Sequence, residues 1–457
     1  MADNFKADYL KQPTFFGHPI GLSVLFFTEM WERFSFYGMR ALLVLFLVAK
    51  TEKGGYGWDK ADALELYAWY LGLVYFMSLP GGFIADRLLG QKKSVVAGGI
   101  LLCIGHLMLA FEPQWAFFTG LVLIICGVGM LKPNISTMVG GLYKPGDPRR
   151  DAGFTVFYMG INLGSLMATI LVGWIGERYG WHYGFGLAGI GMVIGQLVFM
   201  WGQKYLTEVG NFIPKTVQNL SDASKTTFTQ QEKDRIVVLL IAFLIVVVFW
   251  AAFEQAGGLM NLYTDEYTRR NIFGIDIPAS VFQSLNPGYI ILFGGVMAAL
   301  WLSLEKRGKA IPAIARMGLG TVIMGMGFIA MVGATLERNE VGNSSAGWLF
   351  LAYFLHTIGE LMSSPVSLSF ITKVSPKRIV ASMMGIYWAA TGLGSFAAGK
   401  LGKLAMQLGD LNVFAGIAIF TIIMGLLITL FTKRINKLAH GAEQGKASDQ
   451  IKEMQEA

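Results

Sequence analysis

The sequence Glu29-Met30-Trp31-Glu32-Arg33-Phe34-Ser35-Phe36-Tyr37-Gly38 lies inside an apolar segment that runs from about residue 20 to residue 49, and Arg40 follows it closely. At 100° per residue, one helical stripe about 60° wide contains Glu29, Arg33, Phe36 and Arg40. Glu32 lies roughly 60° to one side of Glu29. In a bilayer each ionised group costs on the order of 3 kcal/mol unless it is paired or faces water. The stretch is therefore either a structural ion pair that joins helices or part of a helix that handles protons and substrate at a central cavity.

The composition of the whole chain is that of a membrane protein. Hydrophobic residues make up 54% of it and charged residues only 15%, whereas soluble domains carry about 25% charged residues. A helix needs roughly 20 apolar residues to cross about 30 Å of hydrocarbon. The sequence therefore predicts an all-α membrane protein with twelve transmembrane helices, near 20–49, 62–85, 93–111, 114–140, 153–177, 183–204, 235–262, 285–304, 311–334, 346–372, 379–403 and 411–432.

The positive charges predict the orientation of these spans. Most of the 37 Lys and Arg residues fall in segments that share one side when both ends of the chain are cytoplasmic, as the positive-inside rule requires. The net charge of +7 is explained by these loops and needs no nucleic-acid partner. No signal peptide is expected, because the first 19 residues are polar. Cys103 and Cys126 lie in apolar spans, so a disulfide framework or a thiol metal site is not expected.

A long polar connector predicts two halves. Residues 205–234 separate six spans from six spans, which gives an N-terminal bundle at 1–204, a cytoplasmic linker at 205–234, a C-terminal bundle at 235–433 and a cytoplasmic tail at 434–457. Gly81-Gly82 after the second span is echoed by Gly294-Gly295 in the eighth. This short match supports two homologous halves.

The second span ends in the segment Gly81–Lys93, which contains two glycines, Asp86 and several cations. The glycines permit close helix contact, and Asp86 can pair with the cations at a cytoplasmic turn. The segment resembles the loop between the second and third helices of the major facilitator superfamily. That resemblance predicts a conformational latch; the alternative is an ordinary solvated loop.

Polar residues inside the spans of the first half indicate a cavity. Lys132-Pro133-Asn134 lies in the middle of the fourth span, where proline frees a carbonyl group and bends the helix. Lys132 needs a carboxylate or water, unless it reaches the membrane surface by snorkelling. In the fifth span, Gly160 and Gly164 form a small-residue packing face, and Asn162 needs a polar partner.

Two acids lie deep in the second half, Glu254 in the seventh span and Glu360 in the tenth. Cations in one half and acids in the other would form contacts that break when the halves rock apart. His356 shares a helical face with Glu360 at a spacing of four residues, which raises the possibility that it tunes that carboxylate.

Several other functions are not supported by the sequence. Gly184-Phe185-Gly186-Leu187-Ala188-Gly189 matches a dinucleotide-binding pattern, but it opens a membrane span and follows no strand, so helix packing explains it better. No phosphate-binding loop for ATP is present, His106 and His356 are too isolated for metal binding, and no nucleophile–base pair suggests an enzyme.

The first-span stretch resembles the E-x-x-E-R-F-x-Y-Y-G motif of the proton-coupled oligopeptide transporter family, within the major facilitator superfamily. The resemblance covers nearly all twelve spans, including Phe154–Ser165, Phe249-Trp250 with Glu254-Gln255, Asn286-Pro287, and Glu360 with Ser364-Pro365. It implies a major facilitator fold with two six-helix bundles, and proton-driven symport of di- and tripeptides by alternating access. The connector 205–234 is too short for the two extra helices found between the halves of many bacterial relatives.

The resemblance also assigns roles to individual residues. It implies proton coupling by Glu29, Glu32, Arg33 and Glu254, and binding of the peptide carboxylate by Arg33 and Lys132. It implies binding of the peptide ammonium by Glu360 with Asn162 and Asn286, and a substrate pocket that also includes Tyr37, Arg40, Tyr75, Trp250, Ser364 and Tyr387. The implied gates are Arg40 with Glu254 outside, Lys132 with Glu360 inside, and the latch at Asp86.

This chain departs from the family pattern at three sites that leave the preferred substrate open: Phe36 replaces a tyrosine, Glu254 stands alone where some relatives have two acids, and Tyr387 stands where tryptophan is common. One alternative is another substrate, such as nitrate or a drug-like peptide mimetic, although Glu360 favours a zwitterion. Another is a peptide-sensing receptor. We expect no cofactor, and we expect protons to be the coupling ion. The protein is expected to be a monomer in the bacterial inner membrane. Its expected partners are peptides, protons and lipid.

Overall fold

The computed structural model describes residues 13–144, 147, 149–207, 209–212, 228–376 and 379–442. These residues fold almost entirely into helices, which we number in chain order. The helices are α1 (Ile20–Val48), α2 (Lys60–Phe76), α3 (Ser78–Ile84), α4 (Gln91–Met108), α5 (Gln114–Gly141), α6 (Arg149–Tyr179), α7 (Trp181–Gly202), α8 (Gln230–Phe253), α9 (Leu259–Tyr267), α10 (Leu285–Lys306), α11 (Ala313–Val341), α12 (Ala346–Val374), α13 (Val380–Leu408) and α14 (Asp410–Leu438).

Six strands of two residues each form three small ribbons. They are β1 (Thr14–Phe15), β2 (His18–Pro19), β3 (Thr268–Arg269), β4 (Asn271–Ile272), β5 (Ile275–Asp276) and β6 (Ser344–Ser345). β1 pairs with β2 and β4 with β5 as antiparallel hairpins, and β3 pairs with β6 in parallel.

The helices confirm the prediction of an all-α membrane protein. Each of the twelve predicted spans overlaps at least one of them. Within the described residues, eight helical segments are both long and apolar enough to cross a membrane. α1 is not one of the eight, because Glu29, Glu32, Arg33 and Arg40 make it too polar. The number of twelve membrane crossings stays a prediction.

Two predicted spans are interrupted in the structure. The second span is divided at Met77 between α2 and α3. The seventh is divided into α8 and α9 by a short 3-10 turn, Glu254–Gly257. Gly258 ends that turn with φ −107° and ψ −105°, which is neither a helical nor an extended conformation. The break places Glu254 at a helix end instead of in the middle of a regular helix.

Helix ends in the second half also lie outside the predicted bounds. α8 begins at Gln230, where Thr229 and Glu232 form a capping box: the Thr229 hydroxyl accepts from the Glu232 N–H at 3.2 Å, and Glu232 accepts from the Thr229 N–H at 2.9 Å. This start lies within the predicted linker. α14 continues to Leu438, beyond the predicted bundle end at residue 433. Residues 208, 213–227 and 443–457 of the linker and tail lie outside the described residues.

The chain divides into two compact units. The first comprises the described residues of Met1–Ala63, Leu73–Lys215 and Arg270–Ile291, and the second those of Leu64–Gly72, Thr216–Arg269 and Leu292–Ala457. Two segments, 64–72 and 270–291, therefore lie in the unit other than the one that chain order suggests. The predicted bundle boundaries stay a prediction.

Glycines bring the helices of the first unit close together. α1 packs along α6 and α7, and α4 packs along α5. A Cβ built on Gly164 of α6 would collide with the carbonyl oxygen of Met30, and one on Gly160 would lie 2.8 Å from the Phe26 ring. The prediction of a small-residue packing face on this helix is confirmed, and it holds α6 against the acidic stretch of α1.

The second unit is built around a separate apolar core. α11 packs along α12 and α14, and α8 packs along α13. Buried side chains from these helices form one cluster that includes Val238, Phe243, Met317, Phe370 and Tyr387. Gly294 and Gly295 have open space around them, whereas a Cβ on Gly81 would overlap the carbonyl oxygen of Gly129. The short sequence echo between these glycine pairs thus does not correspond to equivalent packing.

Candidate functional site

The acidic stretch of α1 forms a buried ion cluster in the first unit. Arg33 Nε lies 3.1 Å from Glu29 Oε1 and donates a hydrogen bond to Glu32 Oε2. The exposed fractions of Glu29, Glu32 and Arg33 are 2%, 0% and 3%. Two carboxylates thus share one guanidinium in a dry environment, with a net charge of −1 when both are ionised. A single proton on either carboxylate would remove this excess charge.

The cluster leaves hydrogen-bonding groups unused. Glu29 Oε2, Glu32 Oε1 and Arg33 Nη2 are all buried and have no hydrogen-bond partner among the described residues. Buried polar atoms are nearly always paired in folded proteins, so these three atoms have hydrogen-bonding capacity left for a proton, water or a ligand group. Each free carboxylate oxygen can accept a proton, and the free guanidinium nitrogen can donate to an anion.

Aromatic rings separate this cluster from the next cation along α1. The guanidinium carbon of Arg33 lies 5.2 Å from the centroid of the Phe36 ring and 5.9 Å from that of Tyr37. The guanidinium carbon of Arg40 lies 5.5 Å from the centroid of the Tyr37 ring, and Arg40 is itself buried. Both arginines therefore contact the ring of Tyr37, and Arg33 also contacts that of Phe36.

Lys132 lies over an aromatic ring of the first unit. Its Nζ is 4.2 Å from the centroid of Tyr75, a cation–π contact that substitutes for part of the hydration of the ammonium. Lys132 is half-buried, and Tyr75 is buried. Pro133 lies within α5 as predicted, and the Asn134 Nδ2 donates to the Met130 carbonyl oxygen at 2.7 Å. The side chain of Asn134 thus satisfies a backbone acceptor next to the proline.

The two predicted asparagines of the first unit have different surroundings. Asn162 is buried, and its Nδ2 donates to the Tyr158 carbonyl oxygen in the preceding turn at 2.9 Å. Its own helix therefore supplies the polar partner that the sequence predicted. Asn286 is half-buried in the first turn of α10, just before the buried Pro287.

Asp86 lies in a short π-helical turn, Ala85–Leu89, and is exposed. Among the cations that follow it, Arg87 lies 5.0 Å from the Phe83 ring, and Lys92 donates to the Thr207 carbonyl oxygen. Gly81 makes the predicted close helix contact, but Gly82 has nothing within 4 Å of a built Cβ. Only one of the two glycines is therefore required for packing.

In the second unit, Glu254 is buried and contacts a tyrosine. The Tyr67 hydroxyl lies 3.4 Å from both Glu254 Oε2 and the Glu254 carbonyl oxygen. Two hydrogen bonds fix the side chain of Gln255: its Nε2 donates to the carbonyl oxygens of Ala251 and Ala398 at 3.1 and 2.9 Å. At this helix break, Glu254 is therefore held by its own contact with Tyr67 and by the hydrogen bonds of the next residue, Gln255. Tyr67 was not among the predicted site residues, because no sequence pattern pairs it with a residue so distant in the chain.

Trp250, one turn before Glu254, packs edge-on within an aromatic group of α8. Its ring lies 5.9 Å from that of Phe249 and 5.2 Å from that of Phe253, both at nearly right angles. Trp250 is half-buried. These contacts fix the orientation of the indole ring.

Glu360 is 8% exposed and lies on α12. The His356 ring packs 4.7 Å from the Phe328 ring, and its Nε2 is buried without a hydrogen-bond partner in the described part of the chain. The alternative in which His356 tunes Glu360 therefore has no support from a hydrogen bond at Nε2. Pro365 lies within the same helix, as the sequence predicted.

Ser364 and Tyr387 are linked through a serine that the sequence did not indicate. Ser367 Oγ donates to the Ser364 carbonyl oxygen at 2.8 Å and lies 3.4 Å from the Tyr387 hydroxyl. Tyr387 is 3% exposed and belongs to the apolar core of the second unit. Trp388 packs against it at 5.2 Å.

Two further charged groups were also missed by sequence reasoning. In the second unit, Glu65 accepts hydrogen bonds from Lys400 Nζ at 2.5 Å and from Lys403. In the first unit, Glu177 accepts from the N–H groups of Ala279 and Ser280 at 3.0 and 2.7 Å. Helical periodicity places such residues on a face but cannot identify partners that are about a hundred or more residues away.

Within the part of the chain that the structure describes, no group of three or more His, Cys, Asp or Glu side chains could hold a metal ion. Cys103 and Cys126 are both free cysteines.

The sequence of this chain resembles those of known proteins along most of its length. A family model described as the POT family matches residues 92–234 and 211–412. The chain is 35% identical to "Peptide transporter YePEPT" of Yersinia enterocolitica, with 94% of this chain and 97% of that protein covered. It is also 35% identical to a "Di-/tripeptide transporter" of Lactococcus lactis, with 93% of this chain and 98% of that protein covered.

A solved structure has the same architecture. The crystal structure of a mutant of the peptide transporter POT, in complex with alafosfalin, superimposes with a TM-score of 0.87 at 34% identity and covers 93% of this chain and 97% of that one. This likeness confirms the predicted fold class. These matched proteins are transporters, which confirms the prediction of a transporter and not an enzyme.

Proposed function

Because the chain belongs to the POT family of peptide transporters, we propose that it carries di- and tripeptides into the cell together with protons. Transport proceeds by alternating access: the site opens to one side of the membrane and then to the other. We place it in the bacterial inner membrane, and the distribution of Lys and Arg supports an orientation with both termini in the cytoplasm. The proton is the coupling ion, no cofactor takes part, and the transporter acts as a monomer.

The observation that carries the proposal is the buried cluster of Glu29, Glu32 and Arg33. Its two acids cannot both be balanced by one arginine. Protonation of Glu32 or Glu29 would weaken the hold on Arg33, and the unpaired Nη2 of Arg33 is then available to a substrate carboxylate. A proton gradient can therefore bias which groups Arg33 contacts, which is the requirement for coupling.

A dipeptide is a zwitterion, so its site needs a cation and an anion. Arg33 and Lys132 bind the C-terminal carboxylate, and the Tyr75 ring under the Lys132 ammonium supports this cation where water is scarce. Glu360 binds the N-terminal ammonium, aided by Asn162 and Asn286. Side chains of varied size are accommodated by the apolar or hydroxyl surfaces of Tyr37, Tyr75, Trp250, Ser364 and Tyr387, with the cation Arg40 at the same pocket.

Charged pairs control access to the site. Arg40 and Glu254 close the outer side, and Lys132 and Glu360 close the inner side, with Asp86 as a latch on the cytoplasmic turn. Protonation of Glu254 would release Arg40. The Tyr67 hydroxyl, which donates to Glu254 Oε2 at 3.4 Å, holds the acid in place.

The test is uptake of labelled dialanine into proteoliposomes, with and without an inward proton gradient. The proposal predicts accumulation above the external concentration that collapses when a protonophore is added. Saturable uptake that ignores the gradient would contradict proton coupling while leaving peptide binding in place. If demonstrably folded protein takes up no peptide, the substrate assignment is wrong.

A further inference from the structure

Two β-hairpins in the first unit share the same turn sequence, Phe-Gly. β1 and β2 are joined by Phe16-Gly17, and β4 and β5 by Phe273-Gly274. The φ angles are +48° and +78° in the first turn and +52° and +84° in the second. Turns with two positive φ angles favour Asn-Gly, and a bulky phenylalanine in this conformation is strained. Strain of this kind is maintained where the residue has a function.

The strained rings are also uncovered. Phe16 is 89% exposed and Phe273 is fully exposed. Their neighbours Phe15 and Ile275 are more than half exposed, and the rings of Phe15 and Phe16 contact each other at 4.5 Å. Each hairpin therefore presents a small apolar tip, and packing inside the chain does not explain why phenylalanine stands there.

Both hairpins are fastened to the same helix, α6, at its opposite ends. At the first residue of α6, Arg149 Nη1 donates to the Gly17 carbonyl oxygen at 3.0 Å. Next to this contact, His18 Nδ1 lies 2.8 Å from the Tyr143 hydroxyl. Near the last residue, Arg178 Nη2 contacts both the carbonyl oxygen and the carboxylate of Asp276. Arginine side chains thus hold each tip in a fixed position relative to α6.

The length of α6 matches the thickness of a bilayer. Its 31 residues extend about 46 Å at roughly 1.5 Å per residue, and a bilayer with its headgroup regions measures about 40–45 Å. Exposed aromatic residues lie toward both ends of α6. Tyr179 directly follows Arg178, which holds the second hairpin, and Tyr183 follows in α7. Trp201 precedes Gly202, which packs against Val24 in the first turns of α1, after the first hairpin. Such residues favour the headgroup level of membranes.

We propose that the two hairpins are interfacial anchors, which insert Phe16 and Phe273 into the headgroup regions of opposite leaflets. The occupant of both apolar tips is the lipid surface. By holding the two ends of α6 at the two membrane faces, the anchors fix the depth and tilt of the first unit while the rest of the protein moves. This role does not depend on which substrate is carried.

The anchor is tested with full-length protein that carries para-trifluoromethylphenylalanine at position 16 or 273, in nanodiscs of phosphatidylethanolamine and phosphatidylglycerol. Fluorine NMR then compares broadening by a spin-labelled lipid with broadening by a water-soluble gadolinium chelate. We expect the lipid label to broaden both signals several-fold more than the chelate. The same probe at the buried Phe34 is the control and should respond weakly to both.

Two outcomes of the NMR experiment would overturn the proposal. Stronger broadening by the chelate would show that the tips lie in water. Protection from both reagents would show that protein, such as a second copy of the chain, covers them.

A second measurement separates anchoring from folding. Asparagine suits both turns, so the double variant Phe16→Asn/Phe273→Asn should unfold in detergent at the same temperature as the original chain or higher. In nanodiscs it should lose part of the stabilisation that lipid gives the original chain, and Phe16→Trp/Phe273→Trp should retain it. Equal stabilisation of the asparagine variant and the original chain by lipid would contradict the anchor.

Discussion

Glu32 and Glu29 both contact Arg33 Nε, but only Glu32 is adjacent to Arg33 in sequence, and Glu32 is fully buried. We predict that Glu32→Gln abolishes uphill peptide uptake but leaves peptide counterflow intact. The amide preserves the shape of the cluster but cannot take up or release a proton in the cycle. Uptake under a proton gradient and counterflow without one, in the same proteoliposomes, measure the two properties.

Glu360→Ala is the matched comparison. It removes the proposed ammonium partner, so uphill uptake and counterflow should both fall. Equal loss of counterflow in Glu32→Gln and Glu360→Ala would contradict this division of roles between the two acids.

The contact between Lys132 and Tyr75 gives a second prediction for single residues. Tyr75→Phe keeps an aromatic face under the Lys132 ammonium, whereas Tyr75→Leu removes it. A cation–π contact contributes about 0.5–2 kcal/mol, so the KM for dialanine should rise roughly 2- to 30-fold in Tyr75→Leu and change little in Tyr75→Phe. A comparable rise in both variants would assign the effect to the tyrosine hydroxyl.

Adjacent glycines in α3 provide a matched test of helix packing. A Cβ at Gly81 would overlap the backbone of Gly129, whereas a Cβ at Gly82 would meet nothing within 4 Å. Gly81→Ala should lower stability by about 1–3 kcal/mol through overpacking, and Gly82→Ala should leave it unchanged or raise it by up to about 1 kcal/mol. Thermal unfolding in detergent distinguishes them, and equal effects would show that this close contact is not needed for stability.

The start of α6 allows a prediction about pH. A hydrogen bond from Arg149 lowers the pKa of Asp147, in the loop before α6, to about 2 from its usual 3.8. The ionised carboxylate therefore makes its full contribution to the free energy of unfolding above its usual pKa. That contribution is lost as the pH falls toward 2. Asp147 stays ionised between about pH 5 and 8, so Asp147→Asn should leave the pH dependence of peptide uptake unchanged. A shifted pH profile would implicate this loop in coupling.

For the whole molecule, sequence reasoning predicted the helical framework well because membrane spans have long, continuous apolar runs. It also predicted the ion cluster of α1, since Glu29 and Arg33 are one helical turn apart and Glu32 adjoins Arg33. It did not predict the break at Glu254, where Gly258 adopts a conformation that periodicity cannot reveal. Contacts such as Tyr67 with Glu254 join distant parts of the chain, and only the folded structure brings them together.

We propose above all that the buried cluster of Glu29, Glu32 and Arg33 couples proton entry to peptide entry. The most direct measurement is the internal pH of proteoliposomes when dialanine is added outside in the absence of an initial proton gradient. The account predicts that the lumen acidifies with the original chain but not with Glu32→Gln, although Glu32→Gln still exchanges peptide. Peptide entry without acidification in the original chain, or unchanged acidification in Glu32→Gln, would contradict it.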